Sequence, residues 1–298
     1  MSQTRTFLIF AWMIVAALLW VEWTKEQQPQ LPATTPVVAA ASIAADAPVS
    51  SAGVPFASVP GSTTAAPVPA IGSAPSVTLR NDVLALQLDG RSITDAKLLK
   101  YTQSRDHGSA AVVLFDPAPA TYFAARSGWL GADGVDVTFM SETTAREAVL
   151  ADQAKDVTTS FIARDANGVQ VRRTYTLTRG SYAVRVHDEV TNAGNAAWTG
   201  SVYRQLMRNP PAAKGMGMTN PESFSLNGAA WYSPEDKYKK RKYPQFVDDG
   251  PLDQQVTGGW VALSQHYFLT AWIPQKDQAA LFSLGVAGTT HRIVAAGP

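Results

Sequence analysis

Histidine titrates nearest neutral pH and is the first place to look for proton-transfer chemistry. This chain carries His107, His187, His266 and His291. His187 and Glu189 lie two apart and share one face of any strand drawn through them, the spacing a general acid/base pair would use. A solvated strand face has the same pattern, and that is the reading adopted. His266 sits in an aromatic run, where a hydrogen-bonded core histidine is expected. No HExxH, GxSxG, SxxK or phosphate-loop pattern occurs. The chain has no cysteine, which excludes thiol catalysis, Cys-based zinc sites and iron–sulfur ligation. No residue is assigned a catalytic, cofactor-binding or metal-binding role.

Two further stretches could bind rather than react. Lys237-Tyr238-Lys239-Lys240-Arg241-Lys242-Tyr243 holds five positive charges, bracketed by Glu235-Asp236 and Asp248-Asp249. A solvated loop neutralised by these neighbours is expected, with anionic lipid headgroups as the alternative partner. Gly215-Met216-Gly217-Met218 lacks the third glycine and preceding strand of a phosphate-binding turn and reads as a loop. With a net charge of +1, 46% hydrophobic residues and 16% charged ones, the balance points neither to nucleic acid nor to an acidic substrate.

The elements that would position these residues begin with an apolar run. Between Arg5 and Glu22 lie sixteen uncharged residues, about 24 Å as a helix against a hydrocarbon core of about 30 Å. Trp20 and Trp23 suit the interface, and Glu22 and Lys25 can reach water. Residues 7–23 are therefore expected to span the membrane once, with Arg5 leaving the N-terminus in the cytoplasm and everything after about residue 24 in the periplasm. A cleaved signal peptide fits less well, because the residues beyond the run are bulky and charged, and Ala39-Ala40-Ala41 lies too far downstream. Residues 26–75 hold nine prolines among Ala, Thr, Ser and Val, which predicts an extended linker.

From residue 76 the hydrophobic period becomes two. Leu84, Leu86 and Leu88 share a face, as do Val169, Val171, Tyr175 and Leu177, with Arg173 interrupting the apolar side. Tyr182, Val184, Val186 and Val190 oppose Arg185, His187 and Glu189. Asn167-Gly168 predicts a type I′ hairpin, and Arg179-Gly180-Ser181 a second turn, giving three successive antiparallel strands between residues 158 and 190. Residues 209–251 read as loops with short strands such as 223–226. Residues 258–274 are apolar on both faces and predict one strand covered on both sides. The chain ends abruptly at Pro298 in mid-pattern, with no terminal helix or polar tail, as a truncated domain would.

Several blocks carry a resemblance. They are Gln3-Thr4-Arg5-Thr6-Phe7-Leu8; Leu79-Arg80-Asn81-Asp82-Val83-Leu84; Thr178-Arg179-Gly180-Ser181-Tyr182-Ala183-Val184; and Ala230-Trp231-Tyr232-Ser233-Pro234-Glu235-Asp236-Lys237-Tyr238. Most specific is Gly258-Gly259-Trp260-Val261-Ala262 with His266-Tyr267-Phe268 and Thr270-Ala271-Trp272-Ile273-Pro274. In order and spacing they resemble the YidC branch of the YidC/Oxa/Alb membrane protein insertases of Gram-negative bacteria, across nearly the whole chain outside the linker. Asp89-Gly90-Arg91-Ser92 departs from the paired glycines usual there, so the first hairpin is expected to differ locally.

The resemblance implies an all-β, periplasmic β-supersandwich over residues 76–298, similar to galactose mutarotase, preceded by one transmembrane helix within residues 1–25. It implies five further spans beyond this chain, forming a hydrophilic groove that contains an arginine; Arg5 does not match that position. It also implies insertion and folding of inner-membrane proteins without nucleotide hydrolysis, with nascent chains, Sec translocon subunits and the bilayer as partners. Two other readings follow from the same fold. One is a tethered sugar-binding or mutarotase-like domain using His187 and Glu189; the other is a docking module working through exposed strand edges.

Overall fold

The computed structural model describes residues 76–131, 138–165, 167–211, 226–265 and 267–297. The expected span, the linker, the 215–218 loop, the short strand at 223–226 and His266 lie wholly or mainly outside them.

Alternating sequence becomes strand throughout. The chain lays down β1 (Val77–Arg80), β2 (Leu84–Leu88), β3 (Ser92–Thr102), β4 (Ala111–Phe115), β5 (Phe123–Gly131), β6 (Phe139–Ser141) and β7 (Glu147–Val149). A meander follows: β8 (Asp156–Arg164), β9 (Val169–Thr178) and β10 (Val184–Asn192). Then come β11 (Gly200–Arg208), the hairpin β12 (Gly228–Ser233) and β13 (Lys237–Lys242), and the short helix α1 (Gln245–Asp248). Last are β14 (Asp253–Thr257), β15 (Trp260–Ser264), β16 (Leu269–Trp272), β17 (Ala279–Ala287) and β18 (Thr290–Gly297).

These strands form three sheets. A ten-stranded sheet runs β14-β17-β18-β11-β5-β3-β2-β1-β7, with β4 also paired to β3. Two four-stranded sheets run β10-β9-β8-β6 and β13-β12-β15-β16. One hydrophobic cluster joins all three: Leu79, Leu86 and Leu88 with Phe161, Tyr175 and Leu177, and Leu206, Phe282 and Ile293 with Trp231, Val261 and Leu263. Both small sheets therefore lie on one face of the large one. Leu130, Tyr203, Val294 and Ala296, on alternate positions of the same large-sheet strands, form a separate cluster on its other face. Each large side chain so buried contributes about 1.5–3 kcal/mol. The architecture is the all-β supersandwich expected.

Three local expectations are corrected. Residues 258–274 are a hairpin, β15 and β16, and not one strand: Gln265 N–H bonds the Phe268 carbonyl across the turn, at 2.7 Å. The apolar period conceals the reversal because β15 is buried while Leu269, in β16, and Tyr267 and Ile273, on either side of it, remain largely exposed. Residues 237–242 are a strand, since each pairs with β12 from Gly228↔Lys242 to Ser233↔Lys237. Asn167-Gly168 does not form a type I′ turn. Positive φ falls on Gly168 alone of that pair, and Asp165 N–H bonds Val169 O across a three-residue loop. The Asp89–Ser92 turn is closed by the Asp89 carboxylate, which accepts from the Arg91 and Ser92 N–H groups, with positive φ needed only at Gly90.

Candidate functional site

Where the two small sheets approach each other, they leave a groove of about 1840 Å³ above the middle of the large sheet. Its floor includes Leu98, Leu114, Trp129, Val202 and Leu206. Its walls are the outermost strands of the small sheets, β10 and β16. Residues 181–188 and 267–275 line it consecutively. Side chains alternate along a strand, so consecutive lining means that the backbone edges themselves face the groove. Tyr101, Tyr182 and Phe268 gather there from three different segments, with Tyr101 6.0 Å from Tyr182 and 5.7 Å from Phe268 between ring centroids.

Both walls are held to the floor by side chains. From β16, the Trp272 indole N–H donates to the Gln205 carbonyl of β11 at 3.0 Å. From β9 and β10 the tie is ionic. Arg173, 1% exposed, donates from Nε to Asp188 Oδ1 at 2.7 Å and from Nη2 to Oδ2 at 2.6 Å, a bidentate pair between directly opposed residues. Its Nη1 donates to the Ser127 carbonyl at 2.8 Å, Ser127 Oγ at 2.9 Å and the Gly90 carbonyl at 3.2 Å. Trp129 Nε1–H donates to Asp188 Oδ2 at 2.7 Å, and the Tyr175 hydroxyl to Gly90 O at 3.1 Å. The arginine that interrupted an apolar face thus links the meander to β5 and to the first hairpin. The sequence did not give this pairing: a symmetric turn at 179–181 would set Arg173 opposite His187, whereas the register that forms, Leu177↔Val184, sets it opposite Asp188.

Burial raises the Asp188 carboxyl, but the hydrogen bonds and charge of Arg173 and the Trp129 bond outweigh it and hold the group below the usual carboxylate range. Burial lowers Arg173, and its bonds to Asp188 outweigh that and raise it. Arg204, on the floor, is lowered mainly by burial. Its Nη2 donates to Gln278 Oε1 at 3.0 Å, while Nη1 makes no hydrogen bond. Thr270 Oγ1, also at the groove, is likewise unbonded.

His187 and Glu189 occupy the exposed face of β10, 3.9 Å apart and more than 60% exposed, whereas Val184, Val186 and Asp188 turn inward. His187 borders the groove, but its arrangement with Glu189 is that of two solvated side chains. His107 lies exposed in the β3–β4 connection. His291 packs at 5.1 Å from both Tyr243 and Phe246, and burial lowers its pKa. Among the described residues no cluster of His, Cys, Asp or Glu could hold a metal ion. What the site offers is a binding surface: an apolar floor, two backbone edges unpaired among the described residues, and a cation with a donor to spare.

A three-sheet supersandwich with a groove between two free strand edges is the class of domain defined here. The chain belongs to the YidC periplasmic domain family, whose model matches residues 76–296. It is 46% identical over 316 residues to a membrane protein insertase YidC of Xanthomonas campestris pv. campestris (strain 8004) and 43% over 311 residues to one of Stenotrophomonas maltophilia (strain R551-3). Each alignment covers 100% of this chain and 54% of the relative, so the chain spans about half their length. Among solved structures it resembles the α-galactosidase AgaB of Geobacillus stearothermophilus, with TM-score 0.40, 10% identity, 79% of this chain and 37% of that one.

Proposed function

We propose that this chain is the anchor and periplasmic domain of a bacterial inner-membrane protein insertase, which helps inner-membrane proteins insert, fold and assemble, alone or beside the Sec translocon. The observation that carries the reading is the full-chain similarity to proteins named as insertases, together with the family match over residues 76–296. In this reading residues 1–25 hold the cytoplasmic tip and one membrane span, residues 26–75 a tether, and residues 76–298 the periplasmic domain. The protein acts by binding and not by catalysis. The groove supports a docking role for the domain: an extended apolar segment can add to the β10 or β16 edge while its side chains meet the floor. No feature favours sugar chemistry at His187 and Glu189.

The test is complementation. The complete coding sequence containing this chain should restore insertion of an inner-membrane protein, read by protease protection, in cells depleted of their own insertase. Failure at normal expression counts against the reading. Protease added to spheroplasts should cut after residue 25 and spare residues 1–5; the opposite pattern reverses the proposed topology.

A further inference from the structure

The strand β13 is the outermost strand of its sheet and carries five cations. Two are engaged locally. Lys237 Nζ donates to the Pro234 carbonyl at 2.6 Å. Arg241 donates to the Gly250 carbonyl at 2.7 Å, approaches Asp249 at 3.8 Å and lies over the Trp231 ring. The other three, Lys239, Lys240 and Lys242, are exposed and meet no carboxylate among the described residues. Lys240 and Lys242 share a strand face with Tyr238, itself 51% exposed. Tyr238 heads a cross-strand row with Tyr232 and Trp260. The Tyr232 and Trp260 rings stack at 6.3 Å, and Tyr238 lies 6.1 Å from Trp260.

Lysines on an edge strand deter pairing with another chain, and charge of either sign suffices for that. Two charges of one sign, unpaired among the described residues and on the same face as a row of Tyr and Trp, go further. Cations supply attraction to phosphate headgroups, and amphipathic aromatics suit the membrane–water interface. We propose that β13 and the Tyr238–Tyr232–Trp260 row dock the domain on an anionic phospholipid surface, with Lys240 and Lys242, on the same strand face as Tyr238, as the headgroup-facing charges. The inference rests on the proposed membrane tether only for proximity to that surface.

The chain has no cysteine, so Glu235→Cys, in the turn before β13, accepts a single fluorophore. The full chain is mixed with vesicles of phosphatidylcholine, alone or with about a third phosphatidylglycerol, each carrying a headgroup quencher. Quenching is expected in the anionic vesicles, absent in the neutral ones, and lost at about 1 M salt, where the Debye length is about 3 Å. Each lysine near such a surface is worth about five-fold in the docking equilibrium, so Lys240→Gln/Lys242→Gln should weaken it about 25-fold. Replacing the same two with Glu keeps a charged edge and should abolish docking while the melting temperature and the elution volume on gel filtration are retained.

Equal quenching in both vesicles, or full quenching in the Gln variant, overturns the proposal. Flotation separates it from the anchor: a chain that floats with neutral vesicles unquenched has its anchor, and quenching on anionic vesicles then decides the docking. A chain that floats only with anionic vesicles supports docking and counts against the anchor; one that floats with neither overturns docking as well.

Discussion

Arg173 and Asp188 show how much one buried pair can organise. Removing one partner of such a pair leaves an uncompensated charge and costs about 3–5 kcal/mol, whereas exchanging both for apolar residues costs far less. Asp188→Asn should therefore lower unfolding free energy in urea by several kcal/mol, and Arg173→Met with Asp188→Leu should recover most of the loss. If the double variant is no better than the single, the pair is not the tie described. The Asp188 carboxyl is held below its ordinary value in the folded state. Its stabilisation is therefore complete above the unfolded value of about 4 and is lost as pH falls through the lower folded value. Denaturation followed from pH 7 downward should show a steeper acid loss in the native chain than in Asp188→Asn.

Gly90 belongs to the same network through its carbonyl. Its φ is +84°, and a Cβ there would lie 2.7 Å from Phe139 Cβ and 2.8 Å from Phe161 Cγ. Gly90→Ala should cost about 2 kcal/mol or more, read as a lowered melting temperature. A neutral result would mean that the hairpin shifts freely.

At the scale of elements, β10 and β16 differ from the strands they cover. Among the described residues each is paired on one side only, whereas β11 is paired to both β5 and β18. Amide exchange should accordingly leave β11 among the last protected segments, while the groove-facing amides of β10 and β16 exchange early. Uniform protection across all three strands would show that something already occupies the edges. The sequence concealed the β15–β16 reversal because a hairpin between a buried and a half-exposed strand preserves an apolar period on both sides of its turn. It concealed β13 because lysine-rich composition resembles loop, and only pairing with β12 makes it strand.

For the whole molecule, the docking role makes a separable prediction. Leu269 is 52% exposed and Ile273 73%, and both line the groove, so Leu269→Glu with Ile273→Glu should leave the fold intact. In the complete protein that pair should reduce photo-crosslinking from the groove to partner chains several-fold while the melting temperature moves by only about a degree or two. Undiminished crosslinking would remove the groove from the docking reading.

What the sequence by itself determined is what local chemistry dictates. Period-two alternation with turn residues specified strands and an all-β class, because side-chain alternation and backbone φ are properties of neighbours in the chain. Ordered blocks such as Gly258-Gly259-Trp260 with Thr270-Ala271-Trp272 specified the family. The tertiary structure alone decided that two small sheets share one face of a large one, that their free edges border a groove, and that Arg173 and Trp129 converge on Asp188. Those outcomes depend on which distant strands meet, and long-range pairing follows from the burial of whole faces, which no single stretch of sequence encodes.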